Sequence, residues 1–385
     1  MPTSALFVLS SPRPTGLSGA FQPSLTSHKS SLTSKTSMTV SAAGPTPHHR
    51  TPASDPARSL PALLYTYAAP LAALRAAASP PAAAHALPDY FDDVYLLRYL
   101  ISARSRLGAA TKPSDPRVVT SAAELVAKSV AVRAGCADWL KSARDAAKAG
   151  GYGRDLAGPP GFVALTKVFV SGFHPGGRTG TAVVIVRLGH CVFKELGAKV
   201  GSAEEVKRVF LWATEALYAL IDHQTRTTNV LTKAVYVLDM ADLALFGRRG
   251  FLNPFFHRVQ AEASKMNEFM YPQLIESMVV VNAPRFAKRV SGFIEKVNPR
   301  YSQKLRICAG DFEKKSRRTK AGGSVGTAAV AEGGGVPPSG NTGTLGYMDS
   351  VMDREMLPTF LGGSCTCKEK GGCVGGVPND GKVKD

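Results

Sequence analysis

Residues 202–239 read SAEEVKRVFLWATEALYALIDHQTRTTNVLTKAVYVLD, a capped helical pattern that runs into an apolar strand. Ser202, with Glu205 three residues on, has the spacing of a capping box, in which each side chain satisfies a backbone N–H of the other residue. Behind it Val206, Val209, Phe210, Ala213, Leu217, Leu220 and Ile221 recur at helical spacing and predict one long amphipathic helix. Ala234 to Leu238 then reads as a strand, and it is nearly all apolar rather than alternating, as expected when both faces of a sheet are covered.

The same unit repeats on either side. Upstream, Val163 to Ser171 and Thr181 to Leu188 are β-rich runs separated by the turn sequence His174-Pro175-Gly176-Gly177. Downstream, Asn253-Pro254 is a cap followed by a first-turn proline, opening a helix to about Phe269. Ser277 to Val281 is a further apolar strand, residues 285–297 form a basic amphipathic helix, and Leu305 to Cys308 is a last strand. Strands alternating with helices imply right-handed crossovers and a largely parallel sheet, hence an α/β domain. A small helical module precedes it. Residues 89–107 carry Asp89 as a cap, Asp92 and Asp93 at the positive helix end, and Val94, Leu97 and Ile101 on one face. A second helix opens at Ser121, with Glu124 at capping-box spacing, and runs towards Trp139 and Leu140.

The rest of the chain is of another kind. Of 385 residues, 37 are Gly and 26 Pro, with Pro dense in the first ninety residues and Gly dense around 320–345 and in the tail. That leaves roughly 250 residues able to build one sizeable core. The net charge of +18 predicts attraction to something anionic. Six cysteines are too sparse for a disulfide scaffold and point to a reducing compartment. No apolar run reaches the ~18 residues of a membrane span, because Leu60 to Leu87 is broken by Pro70, Arg75, Pro80 and Pro81. The first acidic residue is Asp55, and before it Ser and Thr alternate with Arg13, Lys29, Lys35 and Arg50. This is the composition of an organellar transit peptide, of plastid rather than mitochondrial type, with Val40-Ser41-Ala42-Ala43 as a cleavage site. The alternative is a retained polar tail on a cytoplasmic protein that associates peripherally with membranes.

Several motifs tempt and fail. Gly172 to Thr179 has the glycine spacing of a phosphate-binding loop, yet Arg178 replaces the lysine and a strand follows where a helix is needed. Gly322-Gly323-Ser324-Val325-Gly326 matches a nucleophile elbow but follows a basic run instead of a core strand. Cys365, Cys367 and Cys373 lack the spacing of paired zinc hooks. His174, His190, His223 and His257 are scattered without a nucleophile or paired carboxylate. The expectation is a protein without catalytic residues, metal or cofactor.

The last third carries four motifs in order: Phe269-Met270-Tyr271-Pro272-Gln273-Leu274-Ile275, Met278 to Val281 with Asn282-Ala283-Pro284, Asn298-Pro299-Arg300-Tyr301-Ser302-Gln303-Lys304-Leu305, and Leu357-Pro358-Thr359-Phe360-Leu361-Gly362-Gly363. Asp92-Asp93-Val94-Tyr95-Leu96-Leu97-Arg98-Tyr99-Leu100 precedes them. Together they resemble the CRAL-TRIO lipid-binding family, in particular its yeast and plant phosphatidylinositol-transfer members. The resemblance implies a sheet floor, a helical gate and one lipid held between them, exchanged between membranes. The domain order then reads 1–55 leader, 56–88 Ala/Pro-rich linker, 89–150 helical module, 160–364 CRAL-TRIO domain with a Gly-rich insertion at about 316–347, and 365–385 Cys/Gly-rich tail.

By the same resemblance Lys304 and Arg104 contact a headgroup phosphate, with Tyr301 and Tyr236 as headgroup neighbours. Phe286, Val290, Phe293 and Ile294 of the gate meet acyl chains, while Lys288, Arg289 and Lys296 face anionic headgroups. Lys314, Lys315, Arg317 and Arg318 dock on an anionic membrane, at about 1 kcal/mol per cation. The implied ligand is an anionic phospholipid, phosphatidylinositol or phosphatidic acid, bound by a monomer that touches membrane transiently and no nucleic acid. A carrier of an isoprenoid or tocopherol-like hydrophobe, or a lipid-sensing scaffold for a partner enzyme, is the alternative. The sequence departs from the family where Tyr301 replaces a threonine, Gln273 a glutamate and Asp242 a glycine, and where Ala234 and Tyr236 replace the hydroxyl pair of choline-lipid binders.

Overall fold

Asp92, not Asp89, starts the first helix of the helical module: its side chain accepts from the Tyr95 N–H at 2.9 Å. The computed structural model describes residues 57–84, 91–108, 110–149, 156, 158–174, 177, 181–246, 250–283, 304–309, 348–349 and 351–365, all within one unit, Arg50–Asp385. Two helices, α1 (Leu60–Thr66) and α2 (Ala68–Ala84), come before it, where composition suggested a linker. Alanine is the strongest helix former, and Leu60, Tyr67, Leu71, Leu74 and Ala78 recur on one buried face. The prolines lie near the helix ends, so they do not break the helix where it is packed.

The module continues with α3 (Asp93–Leu107), α4 (Pro116–Ala134) and α5 (Ala137–Lys148). Helix α4 starts five residues before the expected Ser121, because Asp115 caps the Arg117 N–H and Pro116 takes the first turn. The Ser121–Glu124 spacing therefore falls inside a helix. The expected strand from Val163 is instead α6 (Pro160–Thr166), opened by a proline, and β1 is confined to Ser171–His174. Periodicity alone does not separate a short buried helix from a strand.

A short helix not expected from the sequence, α7 (Leu196–Val200), follows β2 (Ala182–Arg187); the remaining elements follow expectation closely: α8 (Ala203–Thr228), β3 (Ala234–Asp239), α9 (Pro254–Met270), β4 (Ile275–Ala283) and β5 (Leu305–Ala309). The Ser202–Glu205 capping box is present in both directions. Asn253 caps α9 through the Phe256 N–H at 3.0 Å. The expected basic helix at 285–297 and the turn residues Pro175 and Gly176 lie outside the described residues.

The sheet has the order β1-β2-β3-β4-β5, with β1 antiparallel to β2 and every other pair parallel. Strand order equals chain order, so right-handed crossovers from β2 to β3 and from β3 to β4 place α8 and α9 on one face. Helices α8 and α9 accordingly pack against each other. On the sheet the two faces differ. Val183, Ile185, Val237, Val279 and Val281 are wholly buried. They belong to the same core as Trp212, Leu217 and Ile221 of α8.

A buried ion triad joins the helical module to the α/β domain. Glu215 of α8, at 0% exposure, accepts from Arg133 of α4 at 2.9 Å and from Arg144 of α5. Burial alone raises a carboxyl pKa, but the two guanidiniums outweigh it and hold Glu215 below its usual value. Arg133 also donates to the Met270 carbonyl at 3.1 Å, where α9 ends. Among the described residues no helix is long and apolar enough to cross a membrane.

Candidate functional site

The second sheet face carries Val184, Tyr236, Met278 and Leu305 in one register row and Val186, Leu238, Val280 and Ile307 in the next. Val184, Val186 and Val280 are buried, Tyr236, Leu238, Met278 and Leu305 are half-buried, and Ile307 is 42% exposed. This apolar floor is closed at β2 and incompletely covered at Tyr236, Leu238, Met278, Leu305 and Ile307. It lies on the face opposite the fully buried row.

At the N-terminal ends of β3, β4 and β5 the charge is concentrated. Lys304, just before β5, donates its ammonium to the Ile275 carbonyl. Burial lowers its pKa, with Glu276 pulling the other way. Ile275 and Glu276 sit at a register shift: Ala234 pairs with Ile275 but Val235 with Ser277, which leaves Glu276 as the extra residue. Such bulges re-aim a side chain, and the Glu276 carboxylate meets Arg58 at 3.2 Å. Arg58 also reaches the Leu231 carbonyl at 3.3 Å. Arg98 of α3 is completely buried and donates to the Thr232 carbonyl at 3.1 Å and the Thr225 hydroxyl at 2.7 Å. Lys233 lies between Thr232 and β3.

At the opposite, C-terminal ends the motifs of the family resemblance converge. Asp239 Oδ1 accepts from the Asn282 amide at 2.8 Å and from the Ala241 N–H at 3.0 Å, while Oδ2 faces Arg187 Nε at 3.4 Å. Arg187 contacts His190 Nε2 at 2.7 Å and stacks over the Phe360 ring at 4.2 Å. Leu357 to Gly363 is thereby tied to the ends of β2 and β3. Gly362 takes φ +90°, and a Cβ on Gly363 would stand 2.0 Å from the Leu357 carbonyl. Both glycines are needed for that turn.

The expected site residues are distributed as follows. Lys304 is in the N-terminal cluster, and Tyr236 is on the apolar floor. Arg104 donates Nε to the Thr111 carbonyl at 2.7 Å in the loop after α3. No contact joins it to Lys304 among the described residues. Tyr301, Phe286, Lys288, Arg289, Val290, Phe293, Ile294, Lys296, Lys314, Lys315, Arg317 and Arg318 lie outside the described residues. Sequence reasoning missed Arg58, Arg98, Lys233 and Glu276. Arg98 had a signal, being the one charge inside the otherwise apolar run Leu96 to Leu100.

Burial pushes the Cys191 thiol up to about 12 and raises those of Cys136 and Cys308, which suits packing rather than nucleophilic chemistry. Among the described residues no group of three metal-capable side chains gathers.

No protein-family model matches the chain. No curated protein matches it either. Among solved structures 18 chains match. One is the crystal structure of Sfh5, which covers 64% of this chain and 79% of its own at 14% identity and a TM-score of 0.42. A likeness at that level adds nothing to function, and the α/β fold stands on the sheet described above.

Proposed function

We propose that this protein holds one lipid against the open apolar face of its sheet and exchanges it between membranes, without a catalytic step. The observation that carries the reading is the difference between the two faces. Across β2 to β4 one face buries Val183, Ile185, Val237, Val279 and Val281 completely, while the other leaves Tyr236, Leu238 and Met278 incompletely covered, as are Leu305 and Ile307 on the edge strand. Leaving apolar surface in water costs about 25 cal/mol per Å², and an acyl chain is the partner that such a floor suits. Carrying a lipid in this way lowers the barrier set by ~0.8 kcal/mol per exposed CH₂. The cargo we favour is an anionic phospholipid, phosphatidylinositol or phosphatidic acid, with Lys304 as a phosphate contact and a basic surface that meets the membrane.

The test is mass spectrometry of lipids that co-purify with the full chain. A stoichiometric anionic phospholipid is expected, lost in Met278→Asp with the fold retained by circular dichroism, and reduced in Lys304→Ala. A neutral isoprenoid as sole cargo removes the phosphate contact and keeps the carrier. Empty protein that also fails to move labelled lipid between vesicles removes the carrier. Plastid import remains the localisation reading of the leader, and a fluorescent fusion of the full chain that stays outside plastids refutes it.

A further inference from the structure

The loop that joins β3 to α9 divides its apolar side chains between the core and solvent. Two backbone bonds hold its sides together, from the Phe251 N–H to the Ala244 carbonyl at 2.9 Å and from the Leu252 N–H to the Leu245 carbonyl at 3.1 Å. At this neck Phe251 is only 5% exposed, and its ring lies 5.7 Å from Phe193, 6.1 Å from Phe256 and 5.2 Å from His257. Phe193 and Phe256 in turn meet Phe169, so the neck stands on a cluster of packed rings. The base of the loop is pressed onto the chain after β2, where a Cβ on Gly189 would stand 1.8 Å from the Ala241 carbonyl. Phe246, by contrast, is 76% exposed, and Leu252 46%. Gly247, Arg248 and Arg249 lie outside the described residues.

One exposed apolar side chain is ordinary on a protein surface. Here two share a short loop whose neck is bonded and anchored, so turning them inward would break the neck. Among the large hydrophobic side chains of the described residues only Tyr65, on α1, is more exposed than Phe246. Exposed cations stand on the elements that support the loop. Lys194 follows Phe193 in the chain, and Lys199 lies on α7, whose Gly197 approaches the Phe255 ring. Arg258 holds its guanidinium 5.9 Å from that same ring. Against them are half-buried Glu195 and exposed Asp242, and Asp242 already has the His190 Nε2 at 4.0 Å.

We propose that Phe246 and Leu252 insert into the interfacial layer of an anionic bilayer, with Lys194, Lys199 and Arg258 meeting lipid headgroups around them. A bilayer fits better than a protein partner. A specific protein interface covers about 800 Å² on each side, whereas a small apolar tip beside cations is the combination that interfacial membrane contact uses. A shallow apolar tip and a few cations give a reversible contact that salt weakens. The closed neck holds the tip in place beforehand, so little conformational entropy is lost on insertion. This docking surface does not rest on the apolar floor holding a lipid.

The experiment uses the full chain and phosphatidylcholine vesicles with or without phosphatidylserine, a lipid outside the favoured cargo. Phe246→Trp is followed by fluorescence against the wild type, whose own tryptophans are Trp139 and Trp212. With phosphatidylserine present, the added indole is expected to shift to shorter wavelength and to be quenched by brominated acyl chains. Phe246→Ser is expected to partition about tenfold more weakly, at an unchanged thermal midpoint because the ring lies outside the core. Tyr65→Ser, which removes an exposed ring elsewhere, is expected to partition as the wild type does. An added indole that stays unquenched while the protein binds vesicles overturns the proposal, as does an equal loss in Tyr65→Ser. Failure to bind either vesicle, or binding indifferent to phosphatidylserine and salt, overturns it too. Self-association that Phe246→Ser abolishes, without vesicle binding, gives the surface to a second copy of the chain and also overturns it. If no lipid co-purifies and the indole still inserts, the carrier reading falls and the docking loop stands. If lipid co-purifies and the indole does not insert, the loop falls and the carrier stands.

Discussion

Lys233 shows how far a residue's surroundings, not its neighbours in sequence, decide its chemistry. In the string Leu231-Thr232-Lys233-Ala234 it is an ordinary lysine before a strand. The fold buries it, and that burial, against the pull of Glu276 and with lesser help from Lys304, Arg58 and Arg98, moves its pKa from 10.5 to about 8. The folded-state value lies below the unfolded one, so between about pH 8 and 10.5 the unfolded chain binds more protons than the folded chain. Stability therefore rises with pH across that window, by on the order of 3 kcal/mol from this group. Urea titrations of wild type and Lys233→Met check it. Lys233→Met is expected to be more stable than the wild type at about pH 7, by an advantage that shrinks towards nothing by about pH 10.5, and an advantage independent of pH contradicts the assignment. Other residue choices were legible only in part. Asp242 stands where the resembled family has glycine, and its φ of +58° is the left-handed conformation that glycine adopts freely. Gln273 and Asn282 are left-handed too, at +59° and +52°. Asn and Asp tolerate that region better than Gln does, and the sequence, which marks Asp242 and Gln273 as departures from the family pattern, does not show that their backbone is left-handed.

At the scale of elements, local chemistry decided boundaries wherever a cap was unambiguous. Ser202 with Glu205, and Asn253 with Pro254, opened their helices where expected, since both cap bonds form between neighbours in the chain. Ser202→Ala removes one of the two reciprocal cap bonds at the start of a 26-residue helix that crosses the core. The expected loss is about 1 kcal/mol in chemical denaturation, with the unfolding slope unchanged. Ser121 with Glu124 had the same spacing and failed, because Asp115-Pro116 offered an earlier start. Val163 to Ser171 failed for a different reason. A short apolar run satisfies a helix as well as a strand, and Pro160 at a first turn tipped it to α6. Composition suggests a linker at 56–88, whereas the spacing of Leu60, Tyr67, Leu71, Leu74 and Ala78 describes a buried helical face.

For the whole molecule, the helices before Asp93 belong to the core, not to a tether. Leu60, Tyr67, Leu71 and Leu74 are all buried, and residues 58–60 pair with 229–231 at the entrance to β3 through Leu60 N–H to Asn229 and Leu231 N–H to Arg58. Burial of each large apolar side chain contributes about 1.5–3 kcal/mol, so four of them rival the ~5–15 kcal/mol by which a domain is stable. A chain of residues 57–385 should keep the cooperative thermal transition of the full protein, whereas residues 89–385 should lose it or aggregate. Equal melting of the two would show that α1 and α2 are dispensable. The sequence by itself determined the α/β class, a largely parallel sheet and its apolar character, because these depend on periodicity and caps that act over a few residues. It also held the motifs whose Asp239, Asn282 and Phe360 meet at one end of the sheet. Only the tertiary structure decided which face stays open, that Arg104 and Lys304 have separate partners, and that Arg98, Lys233, Arg58 and Glu276 come together. Those residues are up to 218 positions apart, and electrostatic coupling depends on distance and burial in space, neither of which is written in spacing along the chain.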